Sequence, residues 1–177
     1  MKYDGRNPTI KNIGFHTNHE RNQIGLDNAY EAPSKLFIDN NRLYIAGTDI
    51  KNPQDIWDDI SKVPFGLTRY SQRYKDADKL LAKHPEINKI TGHSLGSAVT
   101  QELVNRHPER HFDTTLYAAP FVQIGGKKHE NRFRHGGDPF SMFDWGAQTV
   151  GGSLNPLIAH DYTKYWYYTI FQNRRDF

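Results

Sequence analysis

The chain contains no cysteine among its 177 residues. That excludes a disulfide scaffold, a thiolate-held metal and a thiol nucleophile, so covalent chemistry would have to use Ser, Thr, Lys or a carboxylate. Long apolar runs are missing too. The first thirty residues, MKYDGRNPTIKNIGFHTNHERNQIGLDNAY, hold no apolar core of the roughly seven residues a leader needs. On this reading the sequence predicts neither a secretory signal nor a membrane span, and it leans toward an intracellular or virion-associated protein. No sign of charge dominates: 23 Lys and Arg against 20 Asp and Glu leave a net charge of +3. The basic residues are scattered rather than gathered into a stripe, which argues against a nucleic-acid partner. Repeats, low-complexity tracts and Pro/Gly/Ser linkers are absent as well. One domain is therefore expected.

What is present reads as alternating strands and helices. Aromatic residues make up 13% of the chain, too many for a disordered segment. The polar, Asn-rich residues 1 to 34 are expected to form an irregular arm or an edge element, with the layered domain spanning 35 to 177. Lys35 to Ile38 and Arg42 to Ala46 are β-prone runs around Asp39-Asn40-Asn41, the pattern of a hairpin. Residues 67 to 84 place Leu67, Tyr70, Tyr74, Ala77 and Leu81 at helical spacing, and Pro85 ends the helix. Ile87 to Thr91 then predicts a strand, though INKIT is polar for a central one. Ser97 to Arg106 predicts a helix. Thr114 to Ala119 and Asn131 to His135 predict two further strands. Residues 139 to 159 show no period and are expected to be a long surface loop, a feature that is usually functional. Strand and helix in alternation argue for an α/β layered sheet, mostly parallel, with flanking helices.

Between the third candidate strand and its helix lies Gly92-His93-Ser94-Leu95-Gly96. In a G-x-S-x-G turn the serine takes a strained conformation, and small residues two before and two after let strand and helix approach. The hydroxyl then stands at a helix N-terminus, whose dipole and free N–H groups favour developing negative charge. Thr91-Gly92-His93-Ser94-Leu95-Gly96-Ser97-Ala98 resembles the elbow of the class 3 (fungal-type) lipases, with Ser97 in place of a usual second glycine. The resemblance runs in order along residues 42 to 168. Ile45-Ala46-Gly47-Thr48 and Ile56-Trp57-Asp58-Asp59-Ile60 are similar to the family's Arg-Gly-Ser/Thr strand end and Trp-x-x-Asp-Leu segment, Ala46 standing where the arginine would be. Ala119-Pro120-Phe121-Val122 resembles Gly-Ala-Pro-Arg-Val, and Asn131 to Phe140 resembles the Asn-x-x-Asp-Pro-Val region that carries the acid. His160, followed by Tyr165-Trp166, is similar to the family's catalytic histidine. The resemblance implies a small, minimal α/β-hydrolase fold, a carboxylic ester hydrolase of lipase or phospholipase type, and no cofactor or metal.

Acyl transfer through serine needs a base, a carboxylate to orient it, and donors for the oxyanion. In α/β hydrolases they follow the order Ser, Asp or Glu, His, and Ser94, Asp138 and His160 obey it. The order sets aside His84 and His93 as base. His107 and His111, four apart with Pro108 between them, read as a solvated helix end rather than a metal pair. His129 lies in a basic loop, and His135, which precedes Asp138, reads as a buried partner or substrate contact. Asp144 is the main rival to Asp138, and Asp113 a weaker one. The oxyanion donors are expected to be the backbone N–H of Leu95 and a donor at Thr48, in the turn after an early strand.

Phe140, Met142, Phe143, Trp145, Val150, Leu154, Leu157 and Ile158 fall between the proposed acid and base, where they border the catalytic mouth or fill the core. The aromatic run Tyr162, Tyr165, Trp166, Tyr167, Tyr168 and Phe171 is expected to pack the last element on the sheet, with some rings free to meet a lipid interface. The residues themselves support only an apolar approach to the site; it is the family resemblance that implies a lipid ester, an acylglycerol or phospholipid, as substrate, reached through transient contact with a membrane or lipid interface. Two alternatives share the scaffold: a catalytically silent lipase-like binding module, and an acyltransferase that differs only in its acceptor.

Overall fold

The structure, a computed structural model, describes residues 18–48, 71–120 and 130–165. Its elements follow in chain order: helix α1 (Asn18–Glu31), strands β1 (Leu36–Asp39) and β2 (Arg42–Ile45), helix α2 (Gln72–Lys83), strand β3 (Lys89–His93) and helix α3 (Leu95–Arg106). Strands β4 (Asp113–Tyr117), β5 (Glu130–Gly136) and β6 (Gln148–Gly152) come next, then the short helix α4 (Pro156–His160) and a single 3₁₀ turn (Tyr162–Lys164). Among the described residues, six strands form one sheet in sequential order. The expected hairpin is there, with Leu36 opposite Ile45 and Asp39 opposite Arg42, antiparallel. Every later pairing is parallel. The fold is thus of the α/β class, a mostly parallel sheet with flanking helices.

Side chains alternate across the sheet and feed two cores. On one face Leu43, Ile45 and Ile90 meet Tyr74, Ala77 and Leu81 of α2 and Val99, Leu103 and Val104 of α3. The predicted period of residues 67 to 84 is thereby realised over 72–83; Leu67 and Tyr70 lie outside the described residues. Ser71 caps α2, its hydroxyl accepting from the Tyr74 N–H at 3.1 Å. On the other face Tyr44, Ala46 and Tyr117 meet Leu26 and Ala29 of α1.

Two expectations are corrected. Residues 18–31 are neither an irregular arm nor an edge element but helix α1, which buries Asn22, Gly25, Leu26 and Ala29 against the sheet. Residues 139–159 are not one long surface loop. They contain the whole of β6 and most of α4, and bury Phe140, Ser141, Asp144, Val150 and Ala159. Segments 56–60, 121–122 and 166–171, which carry part of the family resemblance, lie outside the described residues. Among the described residues, no helix is long and apolar enough to cross a membrane.

The seat of α1 depends on one close approach. A Cβ built on Gly25 would lie 2.1 Å from Cε1 of the buried Tyr44 ring. On an open helix face, Gly→Ala gains up to about 1 kcal/mol in propensity, whereas overpacking a core costs about 1–3 kcal/mol. Gly25→Ala is therefore expected to destabilise the fold by about 1–2 kcal/mol, read as a lower urea midpoint. An unchanged or higher midpoint would show that the ring is not seated against α1.

Candidate active site

Because β2, β3 and β5 run parallel, the residues that follow them emerge at one edge of the sheet, where α/β sites assemble. Gly47 and Thr48 follow β2, Ser94 follows β3 and Asp138 follows β5. The strand-turn-helix context expected for the elbow is present: Ser94 sits between β3 and α3 at φ 53°, ψ −123°. A non-glycine residue held there costs about 1–3 kcal/mol and persists only where its surroundings over-determine it. The flanking glycines supply that constraint. A Cβ on Gly92 would stand 2.6 Å from the Gly96 carbonyl oxygen, and one on Gly96 would stand 2.1 Å from the Ile45 carbonyl oxygen. The Ser94 N–H donates to the Tyr117 carbonyl at 2.9 Å. The Ser97 hydroxyl, where the family string has glycine, donates to the same carbonyl at 2.9 Å.

The Ser94 hydroxyl makes no capping bond to its helix. Its Oγ lies 2.8 Å from His160 Nε2, and His160 Nδ1 lies 3.0 Å from Asp138 Oδ1. All three residues are buried. The carboxylate is itself held: Oδ1 accepts the Phe140 N–H at 3.0 Å, and Oδ2 accepts the Ser141 hydroxyl. The Phe140 ring stands edge-on to the His160 imidazole, centroids 4.6 Å apart. The three residues expected to work together are therefore within hydrogen-bonding reach, in the order serine, imidazole, carboxylate. Leu95 opens α3, so its N–H belongs to the helix's unbonded first turn. Thr48 adjoins Gly47, whose added Cβ would fall 2.8 Å from Ser94 Cβ. That turn is steadied by Arg73, which donates to the Ala46 carbonyl at 2.9 Å.

The rivals are occupied elsewhere. Asp144 is paired with Arg132 through both carboxylate oxygens, at 2.8 Å and 3.1 Å, with burial pushing its pKa up. Asp113 opens β4 at the opposite end of the strands and is exposed. His84 meets Glu86. His107 follows α3 and bonds Asp78 and Glu109, while His111 is exposed. His129 lies outside the described residues. Among those residues, no three His, Asp or Glu side chains are grouped to hold a metal ion.

Of the groups that hold this site from behind, sequence reasoning missed Tyr30 and set His93 aside, while His135, expected as a buried partner or substrate contact, is indeed buried. His93 bonds the His160 carbonyl at 2.9 Å and the Tyr30 hydroxyl at 2.6 Å. His135 Nδ1 lies 2.9 Å from the Ala159 carbonyl, and its ring stacks on Tyr165 at 3.9 Å. The His160 segment is thus backed at two consecutive carbonyls by two buried imidazoles. Burial lowers the pKa of both, and the nearby His160 ring lowers that of His93 further. The carbonyl contacts identify the bonded nitrogens as donors.

The chain matches no protein-family model, no curated protein and no solved structure.

Two outcomes follow from these environments. Arg132→Met leaves the Asp144 carboxylate buried beside Glu130, which lies 3.8 Å from the guanidinium, and is expected to cost about 3 kcal/mol at pH 7. Adding Asp144→Asn recovers part of that loss in urea titration; no loss in the single variant would mean the pair is not desolvated. The lowered histidines set a pH dependence. Below the ordinary histidine value of 6.5, the unfolded chain takes up protons that the folded chain refuses, so stability falls as pH drops through that window. His93→Gln is expected to make the slope shallower between pH 7 and pH 5. An identical slope would place His93 in a solvated site.

Proposed function

We propose that the chain is a serine hydrolase of the α/β-hydrolase type, similar to the class 3 lipases, that cleaves carboxylic esters through an acyl-enzyme on Ser94. The observation that carries this reading is the relay of Ser94 Oγ, His160 and Asp138, at 2.8 Å and 3.0 Å, on a strained strand-to-helix turn. In the first step His160 Nε2 takes the hydroxyl proton as Oγ attacks the ester carbonyl. Asp138 accepts from the Nδ1–H, fixes the tautomer and stabilises the imidazolium. The tetrahedral oxyanion is met by the Leu95 N–H, with the α3 dipole behind it, and by donors at Thr48. The imidazolium returns its proton to the leaving alcohol, and water, activated by the same base, releases the acid.

Support for a lipid ester comes from the apolar side chains between acid and base. Phe140 and Val150 are core, but Met142, Phe143, Trp145, Leu154, Leu157 and Ile158 are exposed, Trp145 at 85% and Leu154 at 104%. Large apolar groups left in water along the stretch between Asp138 and His160 favour an apolar substrate or transient contact with a lipid surface.

A fluorophosphonate probe is expected to label Ser94 and no other serine, because an activated hydroxyl is what the probe reports. Ser94→Ala is expected to abolish labelling and to lower turnover of short p-nitrophenyl esters by roughly 10⁴- to 10⁶-fold with the circular dichroism spectrum unchanged. A parent protein that neither labels nor turns over esters would overturn the reading.

A further inference from the structure

His93 lies at the last position of β3, fully buried and facing α1. Its Nε2 is 2.9 Å from the His160 carbonyl, and a carbonyl only accepts, so Nε2 carries the proton. Burial keeps the ring neutral, which makes Nδ1 an acceptor, so the Tyr30 hydroxyl at 2.6 Å donates to it. The same hydroxyl oxygen accepts the Gly47 N–H at 3.0 Å. The three bonds run in one direction: Gly47 N–H to Tyr30, Tyr30 O–H to His93 Nδ1, His93 Nε2–H to the His160 carbonyl. One end is the turn that carries Thr48. The other is the backbone of the base.

We propose that His93 and Tyr30 are positioning residues, forming a relay that fixes the oxyanion turn relative to the His160 imidazole. This rests on the hydrolase reading above and deepens it. The oxyanion donors and the base act on opposite sides of one tetrahedral carbon, so their separation must be set to a fraction of an ångström. The base needs such a tie. His160 ends a helix of five residues, and Asp161 leaves it with extended backbone, so α4 alone holds the imidazole weakly. Tyr30 is itself pinned: its ring stacks on Tyr162 at 4.8 Å, and the Tyr162 hydroxyl donates to Asp27 of α1 at 2.7 Å. Helix α1 thereby grips the chain on both sides of the relay.

A buried histidine kept only for packing would show its loss in stability alone. A relay shows it in kcat. The test compares Tyr30→Phe, His93→Gln, His93→Phe and the double variant Tyr30→Phe/His93→Phe, using kcat and KM on a short p-nitrophenyl ester, the rate of fluorophosphonate labelling, and Tm. Glutamine offers an amide N–H to the His160 carbonyl and an oxygen to Tyr30, so it preserves the bonds. Tyr30→Phe is expected to lower kcat about tenfold and His93→Phe about a hundredfold, with KM unchanged, while His93→Gln stays within about threefold of the parent. The double variant is expected to be no slower than His93→Phe, because both changes break the same chain. Unchanged kcat in Tyr30→Phe, His93→Gln as slow as His93→Phe, or losses that multiply in the double variant would each overturn the relay while leaving the hydrolase reading intact. A parent protein inert to both ester and probe overturns both. Should His93→Phe fail to fold, the Tyr30→Phe and His93→Gln pair still decides.

Discussion

The central strand of this sheet is polar on one face, and the rest of the architecture answers that demand. Thr91 and His93 of β3 and Tyr117 of β4 all point hydrogen-bonding groups under α1, where a group left unsatisfied costs about 1–3 kcal/mol. A purely apolar helix could not cover them. Helix α1 brings Asn22, whose amide donates to the Tyr117 hydroxyl at 3.0 Å and whose carbonyl accepts from Thr91 at 3.3 Å and from Arg42. His19 Nδ1 reaches the Tyr117 hydroxyl at 2.8 Å. Tyr30, at the other end of the helix, serves His93. Thr91, the last residue of INKIT, and Asn22, inside NHERNQIGLDNAYE, belong to one buried network.

The opposite face of β3 works by exclusion. Gly92 and Gly96 leave no room for a Cβ, so β3 and α3 close upon Ile45 and drive Ser94 into its strained conformation. Strain on one face and hydrogen-bond saturation on the other leave the serine little freedom. The imidazole that meets it is backed by His93 and His135 at consecutive carbonyls, and the carboxylate by Phe140 and Ser141. Each of the three groups in the proposed triad is therefore held by neighbours that do not themselves touch the reacting atoms.

Much of this was legible in the residues, for physical reasons. The elbow announces itself because its glycines are sterically compulsory, and the periods of α2 and α3 are written in apolar residues. Helix α1 was illegible because its inward positions are Asn22, Gly25, Leu26 and Ala29: the spacing is helical, but two of the four are not apolar. In β6 only Val150 is buried while its four neighbours are exposed, and α4 is too short for any period to show. A tight turn after a strand favours Asp138 over Asp144, but the Arg132 pairing that occupies Asp144 is announced by no local pattern. Chain order set His93 aside as a candidate base, yet order carries no information about a residue that backs the His160 segment from behind. Its partner Tyr30 lies 63 positions away.

That separation bears on how the site comes into being as the polypeptide is made. The Ser94 turn is encoded in a few adjacent residues and closes as soon as β2, β3 and α3 have met. The imidazole arrives only with α4, and the stacking that steadies its support joins Tyr30 to Tyr162, while Asp27 and Tyr162 bond across 135 positions. A nascent chain would thus carry its serine elbow long before it carries the imidazole that its hydroxyl meets at 2.8 Å.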